Sequence, residues 1–255
     1  MNKLLIIANT SEKRYQESIK EGIFKLNANG FECVLLDEDY KTLYKKEKNR
    51  TDDIENIDYV CSIGGDGSFL FAGKYAIKYD KPIFGINYGQ VGYLCVFDKK
   101  EIDSITPKRL KGKKITKQTI LECSYQRKKY YAINDVIVGK ENFGETISLK
   151  ALLNDEELCA YRGDGIIVSS KTGSSAYNKS CGAPIINKKG KFIVTAICPS
   201  NTSFRYKIIG DNKEIKITLV NKRNKAGIYC DGKKIGILNS FVTIRKSNKE
   251  LKAIL

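Results

Sequence analysis

The chain has 255 residues, 42% hydrophobic and 29% charged, and a formal net charge of +16. That balance excludes a disordered chain and suits one large domain or two of ordinary size. Histidine is absent, which excludes imidazole as general base, nucleophile activator or zinc ligand.

The N-terminal "MNKLLIIANTSEK" has too short an apolar run, and no small-residue cleavage site, for a secretion signal. Nor does any stretch reach the ~18 apolar residues of a membrane span. Residues 3–8, "KLLIIA", read instead as a first buried strand. Ile19, Ile23, Phe24 and Leu26 recur at helical spacing within 11–28, and Asn29-Gly30 closes that helix. "FECVLLD" (31–37) is a second strand, and the charged segment 37–56 reads as a helix or variable loop. "IDYVCSI" (57–63) is a third strand that runs into Gly64-Gly65-Asp66-Gly67. A helix over 68–78 and a fourth strand, "KPIFGIN", follow. This alternation predicts an α/β domain with a doubly wound, Rossmann-like parallel sheet over residues 1–100.

The linker is expected in the lysine-rich 99–112. From about 115 the segments are short, alternate with period two and turn at Gly, Asn or Asp, interrupted near 173–182. A β-rich, sandwich-like domain is expected over 101–235, followed by a C-terminal segment, 236–255, with the active site between the domains.

The eight cysteines contain no CxxC pair and read as mostly buried free thiols of a cytoplasmic protein. The lysines are spread along the chain. They suit solvated faces first and phosphorylated small molecules second, with nucleic acid a poor third.

Four stretches carry chemistry. In "GGDGS" (64–68) a strand ends in glycines and opens a helix, the geometry in which backbone amides and a helix N-terminus meet phosphate. Asp66 there is placed to act as a base or to help hold a metal, or else simply to cap the helix. In "FGINYGQVGYL" (84–94) a second strand ends in Asn87, Gly89 and Gly92, followed by Tyr93. In a doubly wound sheet both glycine loops line one crevice. Asn134 and Asp135 begin a β run and offer donors and acceptors to ribose or a base edge, although an ordinary Asn-Asp turn reads the same way. Finally, "YRGDGIIVSSKTGSSAYNKSCGAPII" (161–186) carries Asp164 into the small-residue run Thr172, Gly173, Ser174, Ser175, Ala176, Tyr177. The later "YCDGK" (229–233) reads as a hairpin turn at least as well as a site.

Taken in order, GGDGS, GINxGxxGYL, ND and GDGIIVSSKTGSSAYNKSCGAP resemble the NAD kinase family over about 58–232. The resemblance implies a phosphotransferase that makes NADP from NAD, using ATP or polyphosphate with Mg2+ or another divalent cation and no resident metal site. It implies Asp66 as the base on the adenosine 2′-hydroxyl, with Gly64, Gly65 and Gly67 giving room for phosphates. Asn134 and Asp135 would hold the NAD nucleoside, Asp164, Thr172, Ser175, Ala176 and Tyr177 would enclose adenine and ribose, and Asn87 and Tyr93 would lie near the substrate. It further implies a homo-oligomer, dimer or tetramer, with no membrane partner, and a C-terminus that returns to the first domain. Three positions depart from the pattern. Lys171 stands where proline is usual, Ser68 where threonine is, and 197–205 lacks a histidine common in relatives. The competing readings are a lipid or sugar kinase sharing the glycine–aspartate turn, and a catalytically silent nucleotide- or nucleic-acid-binding protein.

Overall fold

The run Leu4-Leu5-Ile6-Ile7 is apolar toward both faces, as a strand covered on both sides must be. It forms the buried centre of β1 (Asn2–Ala8) in the computed structural model, which describes residues 2–10, 12–45, 54–89, 92–221 and 223–255. Helix α1 (Lys13–Ala28) buries Ile19, Gly22, Ile23 and Leu26. Phe24, although at helical spacing from these, is 74% exposed. Gly30, at φ +95°, makes the left-handed turn into β2 (Phe31–Leu35). The charged segment then forms α2 (Asp37–Tyr44) and a 3-10 turn at Ile54–Asn56. The rest of that expectation, 46–53, lies outside the described residues.

β3 (Tyr59–Gly64), α3 (Asp66–Tyr79), β4 (Ile83–Asn87) and the short β5 (Phe97–Asp98) complete the alternation. The pairs β1–β2, β1–β3, β3–β4 and β4–β5 are all parallel. The order β2-β1-β3-β4 reverses direction between β1 and β3, so the carboxyl ends of these two strands flank a topological switch point.

Residues 99–112 fold with this unit. A capping box of Asp98 and Glu101 opens a 3-10 turn at Lys99–Ser104, and Thr106 caps α4 (Pro107–Lys111), its hydroxyl accepting from Arg109 N at 3.2 Å. Ile102, Ile105 and Leu110 are buried in the unit's core beside Phe84, Phe97 and Ile86. Three apolar residues scattered among lysines are enough to anchor a stretch whose composition suggests a linker. The chain divides at 118/119 instead: one unit is Met1–Gln118 with Leu251–Leu255, the other Thr119–Glu250.

The second unit is antiparallel. β6 (Ile115–Tyr125) pairs with β7 (Lys128–Ala132), and β8 (Asp135–Lys140), β9 (Ile147–Leu153), β10 (Glu156–Gly163) and β11 (Gly165–Ser169) follow. A 3-10 turn at Gly173–Ser175 and the single-turn α5 (Tyr177–Ser180) interrupt the strands. Next come β12 (Lys191–Ile197), β13 (Tyr206–Gly210), β14 (Ile215–Leu219), β15 (Ala226–Cys230), β16 (Lys233–Ile237) and β17 (Phe241–Ile254). One sheet runs β13-β12-β11-β8-β15-β16, and β10-β9-β14-β17 make another run.

Alternate residues of both runs share one core. Val136, Val138, Ile166 and Val168 come from the first, and Leu149, Ala151, Ile215 and Ile217 from the second. That is the signature of two inner faces packed as a sandwich. The tail of β17 returns to the first unit, where Ala253 pairs in parallel with Ile83.

All eight cysteines are free thiols; Cys61, Cys123, Cys159 and Cys230 are buried, whereas Cys198 is exposed. Among the described residues no helix is long and apolar enough to cross a membrane.

Candidate functional site

In the first unit, a cavity of about 550 Å³ opens at the switch point. The end of β1, at Ile7 to Asn9, and the end of β3, at Ile63 to Gly65, form its floor, and Gly67, Ser68 and Gly89 also line it. Three of the glycines here differ in what requires them. Gly64 lies at φ +151°, and a Cβ on it would stand 2.3 Å from Ser68 Oγ, so the fold itself demands glycine. Gly65 and Gly67 have negative φ and would place a Cβ with no atom within 4 Å. Neither backbone strain nor packing asks for glycine at these two positions. What they preserve is open space in front of the helix N-terminus.

Asp66 is the first residue of α3, where a negative charge meets the positive end of the helix. Its carboxylate accepts from the amides of Tyr93 (3.2 Å) and Leu94 (3.0 Å). The two glycine loops of the sequence are therefore tied together through Asp66. Asn87 pairs in register with Gly64, and its Oδ1 accepts from Gly89 N at 3.0 Å. Gly92 packs against the same Asn87 side chain, its Cβ position 3.2 Å from Cγ. Tyr93 is 87% exposed, and its neighbours Gln90 and Val91 lie outside the described residues. Cys95 sits behind the loop with Sγ 3.7 Å from Gly64 O; burial pushes its thiol up to about 12, so it is no thiolate nucleophile.

In the second unit, Asn134 and Asp135 sit at the entry to β8, and their setting depends on Asp231. The Asp231 carboxylate accepts from the amides of Ile133 (2.8 Å), Asn134 (2.8 Å) and Asp135 (3.2 Å). Asp231 N in turn donates to Asp135 O at 3.0 Å. The "YCDGK" turn is thus a hairpin whose aspartate holds the Asn134–Asp135 backbone in place. Asp135 is 5% exposed, and burial, then the nearby Asp231 charge, raises its carboxyl to about 7. Asn134 Oδ1 is buried with no hydrogen-bond partner.

The segment 172–177 packs on this same turn. A Cβ on Gly173 would lie 2.1 Å from Asn134 O, so only glycine lets the two approach. Ser170 N donates to Asn134 O (2.8 Å), and Gly173 N donates to Ser170 Oγ (3.2 Å). Ser174 and Asn178 are fully buried. Ser174 Oγ donates to Lys171 O (2.7 Å) and accepts from Ile186 N (2.9 Å). Asn178 Oδ1 accepts from Thr195 Oγ1 at 2.6 Å. This internal network holds the loop with Lys171, where proline is usual, in an exposed position. Ser175 and Tyr177 project outward and Thr172 and Ala176 are half-buried. Asp164 forms an ion pair with Lys140 at 2.8 Å and contributes to raising Tyr177, behind burial and the neighbouring Cys181 and Cys198.

The structure thus brings Gly64, Gly65, Asp66, Gly67, Asn87 and Tyr93 together in one unit. It brings Asn134, Asp135, Thr172, Ser175, Ala176 and Tyr177 together in the other, where Asp164 pairs with Lys140. Sequence reasoning missed Asp231, Ser174 and Asn178 as positioning residues. Among the described residues no group of three or more ligating side chains could hold a metal ion.

The chain matches the models of the ATP-NAD kinase N-terminal domain over residues 5–114 and the ATP-NAD kinase C-terminal domain over 133–255. A NAD kinase of Chlorobium phaeobacteroides (strain BS1) is 31% identical over 99% of this chain and 91% of its own length. A NAD kinase of Chlorobium limicola is 34% identical over 96% of this chain and 88% of its own. Among solved structures, yeast NADH kinase complexed with NADH superposes with a TM-score of 0.86 at 20% identity, covering 100% of this chain and 83% of that one. An NAD kinase from Archaeoglobus fulgidus in complex with ATP superposes with a TM-score of 0.76 at 22% identity, covering 99% and 93%. With both halves of the fold matched and relatives above 30% identity over nearly the whole length, the chain belongs to the NAD kinase family.

Proposed function

We propose that this protein transfers the terminal phosphate of ATP, or of polyphosphate, to the adenosine 2′-hydroxyl of NAD, making NADP. The observation that carries the reading is Asp66: a carboxylate oriented by two amides at a helix start, flanked by two glycines that face open space. Phosphoryl transfer needs mainly positioning and charge stabilisation, so a chain without histidine loses nothing essential. Asp66 takes the proton of the attacking hydroxyl. The amides of the 64–67 loop meet the donor phosphates, which need close backbone approach. Asn134 offers its unpartnered Oδ1 to a ligand donor. Asp135, titrating near neutrality, can donate to or accept from a ribose hydroxyl. Thr172, Ser175, Ala176, Tyr177 and Asp164 enclose the nucleoside, and Asn87 shapes the loop that presents Tyr93.

A divalent cation, magnesium in this reading, shields the phosphate charge when bound. Without a cluster of ligating side chains in the described residues, it would travel with the nucleotide's own oxygens. We place the enzyme in the cytoplasm as a homo-oligomer.

The test is NADP formation from NAD, ATP and magnesium by purified protein, with a panel of lipid and sugar acceptors beside NAD. Asp66→Asn should abolish turnover with the fold intact by circular dichroism. No NADP from the wild type, or full activity in the variant, would overturn the reading.

A further inference from the structure

β8 and β11 pair antiparallel as far as Gly139 with Gly165. Lys140 and Asp164 stand one step further along, where Lys140 N donates to Asp164 O at 2.8 Å. Opposed cross-strand residues bring their side chains within reach, and Lys140 Nζ lies 2.8 Å from Asp164 Oδ1. This is not a pair of floating surface charges, which would contribute little. The Lys140 side chain is 17% exposed, whereas those of Lys3 and Lys129, also ion-paired, keep 28% and 57%.

The two partners differ in what they have left to offer. An ammonium has three donors and no acceptor. Lys140 Nζ spends one on Asp164 Oδ1 and another on Phe143 O at 2.7 Å, and it lies over the Phe143 ring, 5.1 Å from the centroid. The ring is 95% exposed, so it serves no core; it covers the ammonium. Lys140 is thus engaged by the protein on every side that these contacts define, and is not placed to hold a phosphate. Asp164 is the opposite case. A carboxylate accepts through both oxygens, and among the described residues no group donates to Asp164 Oδ2. An unpaired carboxylate here would repel the phosphates of a dinucleotide. Matched by Lys140, it keeps the lone pairs of Oδ2 without the net charge, which suits a neutral donor.

We infer that Lys140 is a positioning residue for the nucleoside: it fixes the Asp164 carboxylate through Oδ1 and cancels its charge, so that Oδ2 accepts from a neutral amino or hydroxyl group of the substrate. The inference rests on the kinase reading above, which sets Asp164 at the nucleoside, and adds a residue that touches no substrate itself.

The experiment measures, on the full chain with magnesium, kcat, the KM values for NAD and ATP, and calorimetric binding of NAD. Lys140→Met keeps the apolar stem and removes the ammonium. It should raise the KM and Kd for NAD about tenfold. It should hold kcat within about threefold and the KM for ATP within about twofold, a split that a general loss of structure does not produce. Lys140→Arg, which keeps the charge and donors, should return the Kd to within about threefold of the wild type. Lys140→Gln is the second variant should the methionine protein fail to fold, and should weaken NAD at least about threefold. Because Lys140 acts through Asp164, the two effects should not multiply: in an Asp164→Asn background, Lys140→Met should move the Kd for NAD by less than about twofold. NAD affinity unchanged in both the methionine and glutamine variants overturns the inference and leaves the kinase reading intact. So does a tenfold effect that persists in the Asp164→Asn background, or a fall in kcat with both KM values rising together. NAD binding that depends on Lys140 through Asp164, with no NADP formed from any donor, supports the inference and overturns the kinase reading instead.

Discussion

Asp231 offers the sharpest test of how the second unit's residues are held. Its two carboxylate oxygens take three backbone amides, at 2.8, 2.8 and 3.2 Å. Asp231→Asn retains one acceptor oxygen and turns an NH2 group toward an amide that then has no acceptor. A hydrogen bond to a charged group contributes about 1.5–3 kcal/mol, and a buried orphan donor costs about 1–3 kcal/mol. Losing one full bond and weakening the two others amounts to about 3–5 kcal/mol. Relief of the repulsion with the buried Asp135, the smaller cause of its raised value behind burial, offsets part of this, so the net loss should still be about 2–4 kcal/mol. Asn tolerates the left-handed φ of +47° at this position, which keeps backbone strain out of the comparison. Because the chain has two units, a single unfolding free energy is poorly defined. The assay is therefore local: hydrogen–deuterium exchange of the peptide covering 133–135 at fixed pH. At about 1.4 kcal/mol per tenfold, protection should fall at least about thirtyfold. A change within threefold would refute the claim that Asp231 holds this turn.

Asp135 itself predicts a pH dependence. The folded carboxyl keeps its proton to about 7, whereas its ordinary value is 3.8. The native state thus binds more protons than the unfolded chain between these values, and stability falls as pH rises through that window. At about 1.4 kcal/mol per pH unit the window is worth about 4 kcal/mol. Asp135→Asn should lose that slope, so urea midpoints of the variant at pH 5 and pH 8 should lie closer together than those of the wild type. Gly64→Ala and Gly65→Ala should separate two kinds of glycine. The first meets a positive φ and Ser68 Oγ at 2.3 Å and should lower the melting temperature, while the second meets open space and should raise the KM for the donor with the melting temperature nearly unchanged.

The strands β1, β3 and β4 were legible because a parallel strand buried on both faces is a continuous apolar run, and "KLLIIA", "IDYVCSI" and "KPIFGIN" are such runs. The alternating second unit was legible because one buried face writes itself as period two. Asp66 stood out because an acid among glycines at a strand end is a local pattern. The stretch 99–112 misled because Ile102, Ile105 and Leu110, all buried, are diluted by lysines whose heads stay in water.

Asp231 was legible as the turn residue of "YCDGK" but not as the acceptor that holds residues 133–135, since those partners lie 96 to 98 residues away and a single long-range carboxylate–amide contact leaves no periodic trace. The cavity beside the glycine loop likewise exists only where the order β2-β1-β3-β4 parts the ends of β1 and β3. Short-range patterning of burial and turns was therefore determined by the sequence alone. Which distant polar group orients which backbone, and what lies across an opening between strands, was decided only by tertiary structure, because those contacts depend on chain topology and not on neighbours in sequence.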